Sequence, residues 1–141
     1  MIVDKDNMMS DAQALTTSGS VASTSYIDLG TAAGFKSSNA EVVVSVQTAF
    51  TSSGAPTLAV TLETDTSSDF ATAKTTIGTS ATGIVKANLT AGTTVARMKI
   101  PPNCKRYLRV MYTIGVADYT AGNMDAFVVI DSQTAKDAIN T

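Results

Sequence analysis

Apolar and polar residues alternate along most of this chain with the two-residue period of β-strands. Two segments carry the strongest signal: Glu41–Thr48, which is rich in valine, and Thr57–Thr64, which alternates cleanly. In each segment the apolar side chains share one face of the strand, and these are Val42, Val44 and Val46 in the first and Leu58, Val60 and Leu62 in the second. A Ser-Ser-Gly-Ala-Pro turn separates the segments, so the pattern predicts an antiparallel hairpin.

Further segments with strand patterns are separated by Gly, Ser, Thr and Pro turns. They are Val21–Leu29, Lys74–Ile77, Gly83–Leu89, two strands within Val95–Gly115, and Asn123–Asp131. Within the last three strands the predicted core faces are Ala96, Met98 and Ile100, then Leu108, Val110, Tyr112 and Ile114, then Met124, Ala126, Val128 and Ile130. About eight short strands with turn signals between them predict an all-β fold, an antiparallel sandwich or barrel.

The chain has the length of a single domain, 141 residues. We interpret 1–141 as one β-domain with an N-terminal arm over 1–20 and a C-terminal tail over 132–141. Within the arm, Met8–Leu15 is predicted to be a helical turn capped at Ser10 or an irregular segment. Phe70, the one aromatic residue in the polar connection Asp65–Ala73, is predicted to close the edge of the core.

The composition indicates what kind of surface the protein has, but it identifies no particular partner. Only 16% of residues are charged, against about 25% in typical domains, and the formal net charge is −2. A neutral, Thr- and Ser-rich surface loses little charge hydration when it is buried against a partner. The same composition suits an ordinary extracellular-type β protein. The start of the chain resembles no secretory signal and no apolar run could span a membrane, so we expect synthesis in a cytoplasm.

The residue types needed for common catalytic sites are scarce. The chain has no histidine, which removes Ser-His-Asp and Cys-His nucleophiles and the commonest transition-metal ligand. Cys104 has basic neighbours but no identifiable base. Glu63, Asp65 and Asp69 lack the spacing of a Ca²⁺ loop, and a solvated loop explains them better. The glycines form no nucleotide-binding motif. We therefore expect no enzyme activity, no cofactor and no metal site.

The segment Val95–Gly115 (VARMKIPPNCKRYLRVMYTIG) concentrates charge and bulk, and it is predicted to form a hairpin around its Pro-Pro-Asn turn. It holds five of the ten basic residues and the only cysteine. The candidate partner-contact residues are Arg97, Lys99, Lys105, Arg106, Tyr107 and Arg109. Arginine and tyrosine commonly anchor interfaces. The alternative interpretation is a solvated strand face whose long side chains cover apolar neighbours. Nucleic acid is a weaker alternative, because the net charge is negative.

Three stretches together resemble the Bbp16-type capsid cement proteins of short-tailed bacteriophages. The first is MSDAQAL with Tyr26–Gly30, the second is Leu58–Phe70 (LAVTLETDTSSDF), and the third is Pro101–Gly115 followed by Thr120–Gly122 and Val128–Asp131. They occur in the family's order and extend over nearly the whole chain. The lead Met1–Met9 and the tail beyond Asp131 depart from the family's pattern.

The resemblance implies a jelly-roll-like β-sandwich with a structural role. It implies homodimers on the outer surface of an icosahedral phage head, made in the host cytoplasm, that clamp capsomers of an HK97-like major capsid protein. It brings no catalytic residues, no nucleic-acid partner and no membrane partner. Two other functions remain open: a carbohydrate- or surface-binding β-sandwich module of a virion, and a small hydrolase on a β scaffold.

Overall fold

The protein is a β-sandwich of two antiparallel sheets in a computed structural model that describes residues 4–30, 40–80, 82–102 and 104–130. Ten strands occur in these ranges: β1 (Met8–Ala14), β2 (Gly19–Ala22), β3 (Ile27–Asp28), β4 (Ala40–Thr51), β5 (Thr57–Asp65), β6 (Thr75–Thr79), β7 (Ile84–Val85), β8 (Thr94–Lys99), β9 (Tyr107–Gly115) and β10 (Ala121–Ile130). Two short 3₁₀ segments, Lys5–Asn7 and Lys86–Asn88, complete the regular structure. The predicted all-β sandwich is confirmed. The predicted tail 132–141 lies outside the described residues.

The strand order is that of a jelly roll. The first sheet has the order β1-β10-β4-β8, and the second has the order β2-β9-β5-β6, with β3 also pairing with β9 and β7 with β5. Most successive strands of this order therefore pass from one sheet to the other, and the exception is β5 followed by β6, which are neighbours in the second sheet. The two-residue strands β3 and β7 extend the second sheet at its edges.

Both predicted hairpins are wrong, although all four of their strands exist. β4 pairs with β10 and β8 in the first sheet, whereas β5 pairs with β9, β6 and β7 in the second. In the same way β8 belongs to the first sheet and β9 to the second. The physical reason is that alternation identifies the face directed to the core, and both sheets of a sandwich share that core. The pattern therefore does not specify which strand is the hydrogen-bonded neighbour.

The N-terminal segment is a strand, so the prediction of a helical turn or irregular arm over Met8–Leu15 is wrong. β1 pairs antiparallel with β10 and has register shifts on both sides of Ser10. Ala12 adopts a φ of 48°, which breaks the strand alternation further. Such irregularities remove the two-residue period from MMSDAQA and hide the strand from sequence reasoning. Met9 and Leu15 are nevertheless 0% and 1% exposed, so this strand closes one side of the core.

The core is one continuous cluster between the sheets, and the predicted inward faces supply most of it. The buried residues of the two best-predicted strands are Val42, Val44, Val46, Leu58, Val60 and Leu62. Those of the later strands are Ala96, Met98, Leu108, Val110, Tyr112, Ile114, Met124, Ala126 and Val128, with Ile100 just after β8. Ile130 is the exception, at 58% exposed, because it ends β10 beyond the main packing. Phe70 is buried but lies outside this cluster.

A buried polar network joins the two sheets near the β1 edge. The Ser10 hydroxyl donates to Gln13 Oε1 at 2.7 Å and lies 2.9 Å from the hydroxyl of Tyr112, which is fully buried on β9. The Gln13 amide donates to the Ala22 carbonyl at 2.8 Å and its oxygen accepts from the Thr24 N–H. Burial raises the pKa of Tyr112. Since each of these polar groups is hydrogen-bonded, the network fixes the edge strand without an unpaired buried donor.

Candidate functional site

The six residues predicted to contact a partner are divided between the two sheets. Arg97 and Lys99 lie on β8, the edge strand of the first sheet. Tyr107 and Arg109 lie on β9 in the second sheet, and Lys105 and Arg106 immediately precede that strand. All six lie toward one end of the sandwich, but the core separates the two groups. They therefore do not form one basic surface.

Arg109 is held in a largely buried ion pair on the outer face of the second sheet. It lies directly opposite Glu63 on β5, with Nε 2.9 Å from Oε2, and the two side chains are 17% and 8% exposed. Lys74 approaches the other carboxylate oxygen at 3.7 Å. The guanidinium carbon lies 4.3 Å from the centre of the Phe70 ring, in cation–π geometry. The charge of Arg109 is thus compensated and covered within the chain.

Arg106 is paired in a more exposed position. Its Nε and Nη2 donate to the two carboxylate oxygens of Asp28 at 2.8 and 2.9 Å, and both side chains are about two-fifths exposed. Hydrogen bonding from Arg106 lowers the pKa of Asp28 to about 2. The guanidinium also stacks 5.0 Å from the Tyr107 ring, and the Tyr26 ring meets Tyr107 edge-on at 5.5 Å. This bidentate pair orders an aromatic surface patch.

Asp65 organises the loop that covers the outer face of the second sheet. Its carboxylate accepts from the N–H groups of Ser67 at 3.1 Å and Ala73 at 3.0 Å, and from the Thr66 hydroxyl at 3.3 Å. Burial by itself raises the pKa of Asp65, but these hydrogen bonds outweigh burial and the pKa lies below its usual value. Lys105 also holds this loop in place, because its ammonium donates to the Ala73 carbonyl and to the hydroxyl of Thr75, the first residue of β6.

The two basic residues of β8 mark an exposed sheet edge. Arg97 Nη1 lies 3.3 Å from Glu41 Oε2, and its side chain is 55% exposed. Lys99 is exposed on the same strand, in register with Glu41. Charged side chains on an edge strand disfavour pairing with the edge of another chain. This feature gives Arg97 and Lys99 a structural explanation.

The groups considered for chemistry have structural partners or are buried. Cys104 is 3% exposed within the core cluster, which removes it from contact with a substrate. Glu63 faces Arg109, and Asp65 accepts from backbone N–H groups, so their oxygens serve the fold. In the described ranges no group of three His, Cys, Asp or Glu residues could hold a metal ion. These carboxylates therefore stabilise the loop after β5 and the outer face of the second sheet.

A second surface, which sequence reasoning missed, lies at the opposite end of the sandwich. We call it the loop end, and it consists of the loops 15–18, 52–56, 86–93 and 116–120. Val116 is 83% exposed, the highest value among the exposed large hydrophobic side chains of the described residues. Its φ of 73° is unusual, because β-branched residues strongly disfavour positive φ. Strain of this kind costs roughly 1–3 kcal/mol and is often associated with functional sites.

The turn around Val116 is closed and anchored. The Ala117 N–H donates to the Gly115 carbonyl at 2.9 Å, the i to i+2 bond of a γ-turn, and the φ of Val116 matches the strained form of that turn. Asp118 accepts from the Ser18 N–H at 2.6 Å through its carboxylate and from the Ser52 hydroxyl at 2.7 Å through its carbonyl. Hydrogen bonds from Ser18 lower the pKa of Asp118. The exposed valine therefore stands on a fixed support.

Two aromatic rings pack beneath this turn. Tyr119 and Phe50 meet edge-on with centroids 4.7 Å apart, and both are buried. A Cβ at Gly122 would come within 2.2 Å of the Phe50 ring, so glycine permits this close packing. The Tyr119 hydroxyl is buried without a hydrogen-bond partner in the part of the chain that the structure describes. The only sequence signal for this site was a valine within a polar turn segment, VADYTAG.

The fold and its surfaces define a class: an antiparallel jelly-roll sandwich with ion pairs on the outer face of one sheet and an anchored loop end that exposes Val116. A model of the Bbp16 family matches residues 9–128. The chain belongs to the Bbp16 family. A search of curated proteins finds no match. Over the described residues, no helix is long and apolar enough to cross a membrane.

Proposed function

We propose that this chain is a capsid cement protein that decorates the outer surface of a bacteriophage head. The observation that carries the proposal is membership of the Bbp16 family over residues 9–128. The motif resemblance set out above links that family to phage capsid cement proteins. The chain would be made in the host cytoplasm and bind the assembled head.

In this proposal the partner is an HK97-like major capsid protein, and the chain acts as a homodimer that bridges neighbouring capsomers. Bridging opposes the separation of capsomers under the pressure of packaged DNA. Each contact can be modest, because two linked sites and many symmetric copies multiply a weak affinity. A sandwich with one continuous core and an edge strand fixed by a buried network suits a mechanical link.

The proposed role needs no reaction centre, cofactor, nucleic acid or membrane. Two of the candidate partner-contact residues have partners within the chain: Arg109 with Glu63, and Arg106 with Asp28. Internal pairing reduces the positive field available to phosphates. These contacts favour a protein partner over DNA.

Counting the copies of this chain in purified particles tests the proposal. Quantitative mass spectrometry should find it in numbers comparable to the major capsid protein, and heads assembled without it should bind the added protein until the sites are filled. A handful of copies, or binding confined to the tail, would instead support a surface-binding module of the virion. Sedimentation at micromolar concentration should give a dimer, and a clean monomer would contradict that part of the proposal.

A further inference from the structure

We propose that the loop end is the surface that docks on the head, with the Val116 side chain inserted into an apolar pocket of the shell protein. The inference rests on the proposed cement function and adds to it the docking surface and the chemistry of its partner. Val116 is the starting point, because its side chain is 83% exposed on a turn with a φ of 73°. Glycine would adopt that backbone without strain.

The support beneath Val116 makes it suitable as an anchor. Gly115 is paired with Thr57 on β5, and Asp118 is bonded to the neighbouring loops through Ser18 and Ser52. The Thr120 N–H donates to the Thr51 carbonyl at 2.7 Å on the other side of the turn. The backbone around Val116 is thus already ordered, so binding to a partner costs little further conformational freedom there.

A second exposed valine lies at the same end. Val85 on β7 is 49% exposed, and it pairs with Thr57, the residue that also pairs with Gly115. Two strand spacings, roughly 10 Å, therefore separate Val85 from the Val116 turn. The nearby ammonium of Lys86 donates to the Ser52 carbonyl at 2.7 Å. The loop end thus exposes two apolar side chains among mostly Ser and Thr neighbours, and the charge of its lysine is engaged within the chain.

The small apolar area of these two side chains favours a pocket on the shell over a second copy of the chain. A stable dimer buries about 800 Å² on each partner, which two valines at a loop end do not supply. One rigid side chain in a pocket gives a small contact, and many equivalent copies on a symmetric shell make a small contact sufficient. The proposed homodimer would then form through another surface.

The test measures how tightly the full chain binds to phage heads that lack this protein. The heads come from the phage that encodes the chain. Val116→Gly and Val116→Asn remove the apolar anchor and keep residue types that tolerate positive φ, so the melting temperature should be unchanged or higher. Binding should weaken about tenfold or more, the factor expected for losing one buried valine side chain. Ile130→Ser is the matched control, because Ile130 is also exposed, at 58%, but lies far from the loop end. β10 begins at Ala121, next to the loop end, and ends at Ile130.

The possible outcomes separate this inference from the cement function. Weak binding by both Val116 variants with normal binding by Ile130→Ser supports the docking surface. Normal binding by the Val116 variants overturns it and leaves the cement function standing. Equal weakening by Ile130→Ser also overturns it, because the contact would then not be specific to the loop end. Failure of the unmodified chain to bind any head overturns the cement function and this inference together.

Discussion

The two ends of the sandwich use their prominent side chains in opposite ways. We call the end opposite the loop end the charged end. There Arg109 is paired with Glu63 and Arg106 with Asp28, and aromatic rings pack against both guanidinium groups. At the loop end, Val116 has most of its surface in solvent, on a turn that is strained for valine. Charged residues that cluster in the sequence therefore do not by themselves establish a binding surface. A cation already paired within the chain must lose that partner before it can bind another.

Arg109→Ala is expected to have the largest effect on stability, because it leaves the buried Glu63 carboxylate without its main partner. Removing one member of a buried pair costs about 3–5 kcal/mol, and we expect about 2–4 here because Lys74 remains near the carboxylate. Urea denaturation measures this loss of unfolding free energy. Arg97→Ala is the matched control, since its pair with Glu41 is exposed and should contribute less than about 1 kcal/mol.

A double variant identifies the cause of that loss. Glu63→Leu combined with Arg109→Met removes both charges and should recover much of the stability lost in Arg109→Ala, since apolar replacement of a buried pair is often neutral. If Arg109→Ala and Arg97→Ala had equal small effects, the charged end would not be a pre-paired structural cluster. The contrast between the two ends would then fail.

A smaller effect is expected from removing the two buried tyrosine hydroxyls. Tyr112→Phe loses the contact with Ser10 and should lower the unfolding free energy by about 1 kcal/mol. Tyr119→Phe removes a hydroxyl that has no partner in the described residues, so stability should be unchanged or slightly higher. Denaturation of both variants side by side measures the difference. A larger loss for Tyr119→Phe would indicate that the loop end depends on a bond to this hydroxyl.

The strands and their inward faces could be predicted from sequence, whereas the sheet partners could not. Leu58 and Leu108 follow an alternating pattern, and burial of one face is what that pattern encodes. The pairing of β5 with β9 joins segments about a third of the chain apart, and nothing in either segment specifies the other. The strand β1 was missed because its register shifts erase the alternation.

The candidate site was harder to predict than the fold for the same reason. The basic residues were visible as a cluster, but their partners Asp28, Glu41 and Glu63 lie on distant strands. The exposure of Val116 follows from its backbone angle and from loops that meet only in three dimensions. A valine in a turn segment is a weak signal, since an isolated exposed apolar residue is common.

A cryo-EM map of heads decorated with this protein would show which end of the jelly roll contacts the shell. We predict that Val116 and Val85 are covered by the shell protein, while Arg106 and Tyr26 remain exposed to solvent. A map with the charged end seated on the shell and Val116 in solvent would contradict it.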